Sequence, residues 1–206
     1  MPWDFGSALT GGLAGSALTI FSQWVSRVWL RPRLKILFRD GEKGCCVQTR
    51  AAGGPNATRY LRLKVRNLGR STARGVSVQV TKLTFSDPNT GSRIFDEDVM
   101  DLRLSLQRGD VLSFPIAPHG YRFVDLVYVN ETELIHHYDF DVAPERLPEQ
   151  GFGTDSGTYG AEIFAVAENA KAVRNYVTWS WDKTFSGLKI TDSTWQQRFS
   201  RLRPGR

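Results

Sequence analysis

The chain has 206 residues, of which 41% are hydrophobic and 23% charged, and its formal net charge is +6. This composition is too apolar for a wholly disordered chain and predicts a packed core. The positive charge favours anionic partners, which are lipid headgroups, acidic proteins or nucleic acid, and does not choose among them. The cysteines Cys45 and Cys46 are neighbours, so a disulfide framework is excluded. We interpret them as two free thiols of a reducing compartment.

The first predicted element is a helix in the stretch from Phe5 to Ser26, which contains no charged residue. Its length suffices to cross a bilayer, for which about 20 largely apolar residues are needed. At about 100° per residue, the bulky side chains fall on one side and the small ones on the other. The small side carries a ladder with a spacing of four, Ser7, Gly11, Gly15 and Thr19. Such a ladder lets a second helix approach closely inside lipid. We therefore predict a transmembrane helix in a domain of residues 1–32.

Two other interpretations of this helix stay open. It lies flat on the membrane with its polar side toward water, or it covers the remaining domain as an ordinary amphipathic helix. The polar side has no Lys or Arg within the segment, which disfavours the first. The glycines disfavour the second, because each weakens a helix in water by up to about 1 kcal/mol relative to Ala.

The charges that flank the segment predict its orientation. Only Asp4 precedes it, whereas several basic residues follow, and basic residues stay on the cytoplasmic side. We expect a single-pass protein of the inner, cytoplasmic membrane with its C-terminal domain in the cytoplasm, and Pro32 ends the helix. The residues assigned to the membrane interface are Trp24, Arg27, Trp29, Arg31 and Arg33.

Beyond Pro32 the hydrophobic period changes to two, which is typical of strands. Alternation is clearest in RLKILF, YLRLKVRN and GVSVQVTKL, and YRFVDLVYV, which is apolar on both parities, predicts a central strand. TYGAEIFAVAEN and AVRNYVTWSW predict a long pair of strands, and GLKI closes the domain. Loops are predicted near residues 41–54, 87–92, 115–120 and 144–157. The pattern predicts a mainly β fold, an antiparallel sandwich over residues 33–192, with a basic tail over 193–206.

The stretch LRLKVRNLGRSTARGVSVQV resembles a unit of bacterial immunoglobulin-like domains of the cell-adhesion-related (CARDB) type, in which Asn-x-Gly joins two alternating strands. GTYGAEIFAVAEN is similar to their late strand, which opens with Gly-x-Tyr. The resemblance implies an immunoglobulin-like sandwich in which the Tyr159 hydroxyl bonds back to the backbone as a tyrosine corner. One N-terminal anchor before such a domain also resembles uncharacterised bacterial membrane-anchored proteins. Such sandwiches serve many roles, so the fold names no function.

The chain shows no convincing catalytic motif. The best cluster of metal-ligand residue types is His136, His137, Asp139 and Asp141, of which the last three share a strand face. A metal site needs three or four convergent ligands, and a solvated strand face is the simpler interpretation. We predict no metal, no cofactor and no enzyme activity. Asp125 interrupts the central apolar strand, and we expect it to be hydrogen-bonded there or to sit at a β-bulge.

Three cations, Arg62, Lys64 and Arg66, alternate outward on one predicted strand and form a candidate stripe for an anionic partner. Nucleic acid is disfavoured, because single-strand binders place aromatic side chains beside the cations and only Tyr60 shares this face. We predict a non-enzymatic, membrane-anchored accessory subunit. It docks through the small helix face and the sandwich in a larger membrane complex, such as a respiratory, photosynthetic or transport assembly. The alternative is a membrane-tethered sensor or binding module for a ligand or nucleic acid.

Overall fold

The computed structural model describes residues 29–50, 56–87, 91–96, 100–102, 112–132, 136–138, 140–141 and 155–191. The predicted membrane helix, with its packing ladder and its Trp24 and Arg27, lies outside these ranges, as does the basic tail. Among the described residues, no helix has the length and apolar character needed to cross a membrane. The strands in these ranges are β1 (Leu34–Leu37), β2 (Cys46–Arg50), β3 (Ala57–Asn67), β4 (Ala73–Asp87), β5 (Gly91–Asp96), β6 (Met100–Leu102), β7 (Phe114–Ile116), β8 (Tyr121–Asn130), β9 (His136–Tyr138), β10 (Phe140–Asp141), β11 (Gly157–Ala167), β12 (Ala170–Trp181) and β13 (Lys189–Ile190).

The strands form two antiparallel sheets. In the first sheet the order is β1-β3-β8-β9, and β2 continues the edge of β3 beyond β1. In the second sheet the order is β10-β6-β4-β11-β12-β13. The short strands β7, β6 and β5 follow one another along the edge of β4 that faces away from β11. The long strands β3, β4, β8, β11 and β12 therefore form the frame, and the short strands complete its edges.

Alternating apolar residues from both sheets pack into a single hydrophobic cluster. The predicted inward positions of β3 and β4 have no exposed surface: Leu61, Leu63, Val65, Val76, Val78 and Val80. In the second sheet, Tyr159 and Trp179 are also fully buried, and their rings stack with centroids 5.9 Å apart. Large aromatic side chains bury about 150–250 Å² each, so this pair is a major part of the core. The predicted mainly β, antiparallel architecture is confirmed.

Tyr159 makes the kind of backbone contact that the family resemblance implies. Its hydroxyl donates a hydrogen bond to the backbone carbonyl of Asp155, four residues upstream. The ring of Phe85 on the neighbouring strand lies 4.8 Å away, centroid to centroid. The side chain therefore fixes the start of β11 by hydrogen bonding as well as by packing.

Some strands lie where the sequence predicts loops. β2 falls within the predicted loop 41–54, and β7 overlaps the predicted loop 115–120. Their sequences, CVQTR and FPI, are too short or too polar for a period of two to be recognised. Pro115 is tolerated in β7 because β7 pairs with β4 and forms an edge, where no ladder bond is lost. Pairing with a long neighbouring strand, more than local propensity, decides these elements.

Candidate functional site

The end of the sandwich where residues 29–33 join β1 is organised by one buried side chain, Asn67. Its Oδ1 accepts hydrogen bonds from the backbone N–H groups of Arg33, at 3.1 Å, and Gly69, at 2.9 Å. Its Nδ2 donates to the carbonyl oxygens of Ser71, at 2.7 Å, and Ile116, at 3.1 Å, and more distantly, at 3.4 Å, to that of the residue after Ile116. The carboxamide thus ties together the chain before β1, the turn between β3 and β4, and the end of β7.

Gly69 explains why this turn can lie directly on the chain before β1. A Cβ atom at this position would come within 2.3 Å of the carbonyl oxygen of Arg31, so a side chain does not fit. The next ladder bond runs from the backbone N–H of Leu68 to the carbonyl of Arg33, at 2.7 Å. The Asn-x-Gly sequence is therefore a joint that holds residues 31–33 against the domain.

The large hydrophobic side chains that are exposed among the described residues all lie at this end. They are Trp29, Leu30, Leu68 and Tyr121, with exposed fractions of 63%, 47%, 42% and 51%. Tyr121 belongs to this end because it pairs with Arg66 at the end of the ladder between β3 and β8. A single exposed apolar residue is ordinary, whereas a group of this kind marks a contact surface.

Exposed basic side chains surround these hydrophobic residues, and the exposed carboxylate described beside them is that of Glu168. The guanidinium of Arg70 lies over the Trp29 ring, 5.7 Å from its centroid. We call the four hydrophobic residues and these cations the junction surface. The cations are Arg31, Arg33, Arg66, Arg70, Arg74, Arg122 and Lys171.

An open groove of about 1140 Å³ crosses the junction surface from residues 29–33 to the turn between β11 and β12. Its walls include Trp29 and the cations Arg31, Arg33, Arg70 and Lys171. The wall formed by the turn between β11 and β12 is held in place by another carboxamide, that of Asn169. This side chain donates to the carbonyl of Thr72 at 2.9 Å and accepts from the N–H of Arg74 at 3.0 Å. The groove presents cations on a rigid backbone, which suits the binding of an anion.

The three cations of the stripe predicted on β3 lie in different environments in the structure. Arg62 is only 5% exposed, and its Nε donates to the Asp125 carboxylate at 2.8 Å. The register between β3 and β8 shifts at this point, so Asp125 is hydrogen-bonded and also lies at a bulge, as the sequence predicts. Lys64 forms an ion pair with Glu42 at 2.7 Å. Arg66 is the exposed member of the stripe and belongs to the junction surface.

Strand β8 brings aromatic residues beside the stripe that sequence reasoning missed. Tyr128 lies opposite Tyr60, with ring centroids 5.4 Å apart. The Lys64 ammonium lies 4.5 Å from the ring centroid of Tyr121. Only the register between β3 and β8 places these side chains together, and the sequence carries no signal for it. Arg62 and Lys64 therefore already contact rings and carboxylates of the protein itself.

The loop between β1 and β2 contains two groups with shifted pKa values. The hydrogen bond from Lys64, and then its charge, lower the pKa of the Glu42 carboxyl below its ordinary 4.5. Burial raises the pKa of the Cys45 thiol above its ordinary 9.0. Both cysteines are free thiols, and Cys45 is fully buried, which makes it a packing residue of low reactivity.

The predicted ligand cluster is described only in part. His136 and His137 lie on β9, which pairs with β8, while Asp139 lies outside the described residues. Within the described ranges, no group of three or more His, Cys, Asp and Glu residues is arranged to hold a metal ion.

No protein-family model matches the chain, and no curated protein is significantly similar to it in sequence.

Proposed function

We propose that this chain is a non-enzymatic, membrane-anchored accessory subunit of a larger membrane protein complex. The junction surface carries this proposal. It groups exposed aromatic, leucine and arginine side chains around residues 29–33, which follow the uncharged N-terminal segment in the sequence. Trp and Tyr are enriched at the membrane–water interface, and Arg side chains place their charge among headgroups there. In this proposal the sandwich stands with its junction surface on the cytoplasmic face of the inner membrane.

The short connection between the segment and the sandwich supports this orientation. Residues 27–33 separate Ser26, the end of the uncharged stretch, from β1, and span at most about 25 Å when extended. Part of this connection, residues 31–33, already lies on the domain through the Asn67 joint. A segment that crosses the bilayer would therefore hold the junction surface close to the headgroups.

We also propose that the sandwich is immunoglobulin-like. The pairs β3–β8, β4–β11 and β11–β12 correspond to the B–E, C–F and F–G pairs of that fold, and β1 takes the place of strand A. The Tyr159 hydroxyl bond supports the same correspondence. One difference is that β9, beside β8, follows it in the chain, whereas strand D precedes strand E. The fold supports a scaffold role and nothing narrower.

The small-residue ladder provides the experimental test of the proposed function. Replacement of Gly11 and Gly15 with Leu should leave the chain in carbonate-washed membranes but abolish co-purification of its partner in mild detergent, because bulky residues separate packed helices. Ala17→Leu, which enlarges a side chain on the bulky side of the helix, is the control and should keep the partner. Release of the unmodified chain by carbonate would refute the proposal, and so would unchanged co-purification of the Gly11 and Gly15 variant.

The groove favours a second candidate, a membrane-tethered binding module for a ligand or nucleic acid. Its cations suit phosphate groups, whichever molecule carries them. Retention of a single-stranded oligonucleotide by the whole chain, with affinity that falls steeply as salt rises, would favour this alternative over the accessory subunit.

A further inference from the structure

We propose that the groove of the junction surface binds the phosphate-bearing headgroup of an anionic phospholipid. This inference rests on the membrane-facing orientation proposed above and names the ligand of that end of the molecule. It differs from the accessory-subunit proposal because a docked subunit has no need of a lipid site.

The first observation is that, within the part of the chain that the structure describes, the cations of the groove form no ion pair, whereas three cations on the strands do. Arg62 and Lys64 on β3 and Arg174 on β12 are all paired with carboxylates of the protein. The described residues provide no ion pair for the groove cations Arg31, Arg33, Arg70 and Lys171. The carboxylate of Glu168 also lines the groove, so the four cations leave a net positive charge there, and a bound anion relieves the repulsion among them.

The second observation is that both walls of the groove are preorganised. On one wall, the Asn67 side chain accepts a hydrogen bond from the backbone N–H of Arg33, which fixes the position of the Arg33 backbone. On the other wall, Asn169 fixes the turn that precedes Lys171. Arg70 is positioned by its contact with the Trp29 ring. A site whose groups are already in place loses less entropy when it binds a ligand.

The surroundings favour a lipid over a free anion or a nucleic acid. Trp29 lines the groove, and Leu30 and Leu68 are exposed at the same end, where they suit the apolar part of a phospholipid. Arg side chains recognise phosphate oxygens through paired N–H groups. Single-strand binders instead use a row of aromatic platforms along a basic channel, and the groove offers the single ring of Trp29.

The test titrates the purified whole chain, in a neutral detergent, with short-chain phosphatidylglycerol and measures the dissociation constant by calorimetry. Parallel titrations use short-chain phosphatidylcholine, inorganic phosphate and an oligothymidylate. We expect phosphatidylglycerol to bind most tightly. Arg70→Gln with Lys171→Gln should weaken its binding about 25-fold, since each basic residue near an anionic membrane surface contributes a factor of about five.

The matched control is Arg39→Gln with Lys43→Gln, which removes the same charge from exposed positions in the loop between β1 and β2. It should leave the dissociation constant unchanged. The lipid site is refuted if phosphatidylcholine or phosphate binds as tightly as phosphatidylglycerol, if the oligothymidylate binds best, or if both double variants lose affinity equally. None of these results bears on carbonate resistance or on co-purification of the partner. The lipid site can therefore be refuted while the accessory-subunit proposal stands.

Discussion

Asn67→Ala should destabilise the domain far more than the loss of one small polar side chain usually does. The carboxamide accepts two hydrogen bonds, at 2.9 and 3.1 Å, and donates to three carbonyl oxygens, at 2.7, 3.1 and 3.4 Å, and the residue has no exposed surface. Each such bond contributes about 1 kcal/mol net, and buried backbone groups left without a partner cost about 1–3 kcal/mol each. We expect the free energy of unfolding to fall by about 3–5 kcal/mol, a large part of the total stability of a typical domain.

Asn169→Ala is the matched control for this measurement. The same side chain makes two comparable bonds to the backbone at the same end of the sandwich, at 2.9 and 3.0 Å, but it is exposed. Water replaces its bonds when it is removed, so we expect a loss of about 1 kcal/mol or less.

Urea unfolding of the whole chain in mild detergent, followed by tryptophan fluorescence, provides the assay for both asparagine variants. Trp179 and Trp181 are buried and report on the core. If the two variants lose stability to the same extent, Asn67 is not the organising residue of the junction.

Three other contacts make measurable contributions to the fold. Arg62→Met should lower the free energy of unfolding by about 3–5 kcal/mol, because it removes the cation that pairs with the buried Asp125 carboxylate. Adding Asp125→Leu to this variant should restore most of the lost stability. A double variant that is no more stable than Arg62→Met would contradict this expectation. Tyr159→Phe deletes the hydroxyl bond to the backbone and should cost about 1–2 kcal/mol in the same urea assay, whereas no cost would argue against a corner role. Lys64 lowers the pKa of Glu42, so their pair stabilises the fold above the ordinary pKa of 4.5, and this contribution is lost as pH falls through the lowered pKa. Lys64→Met should therefore reduce the decline of the melting temperature in acid, and an unchanged acid profile would show that the pair is not coupled to folding.

The frame of the fold was predictable because its strands bury one face. Apolar and polar residues alternate in residues 61–65 and 76–80, as expected for strands with one buried face, and the structure places each of the alternating apolar residues in the core. The interruption of an apolar run by Asp125 indicated a bulge or a hydrogen bond, and both are present. The edge strands β2, β5 and β7 have weaker patterns, since pairing along β3 and β4 defines them.

The candidate site was less predictable, because distant segments build it. Trp29, Arg31 and Arg33 were assigned to a membrane interface from local sequence, and the structure adds Arg70 and Lys171 to the same groove. The contribution of these two residues depends on which turns share one end of the sandwich, a long-range property of topology. The central role of Asn67 was missed for the same reason, since its partners Arg33 and Ile116 lie in segments that are distant from it in the sequence.

The two asparagines that hold the walls of the groove allow stability and binding to be measured separately. Asn67 holds one wall of the groove and also the fold, whereas Asn169 holds the opposite wall from an exposed position. If preorganisation of both walls matters, Asn169→Ala should weaken phosphatidylglycerol binding severalfold while the unfolding curve hardly moves. Asn67→Ala, measured at a temperature where its tryptophan fluorescence is still native, should weaken binding as well. Unchanged affinity in both variants would show that the hydrogen bonds of the two asparagines do not contribute to binding. The groove would then bind lipid through the charge of its cations alone, without a preorganised geometry.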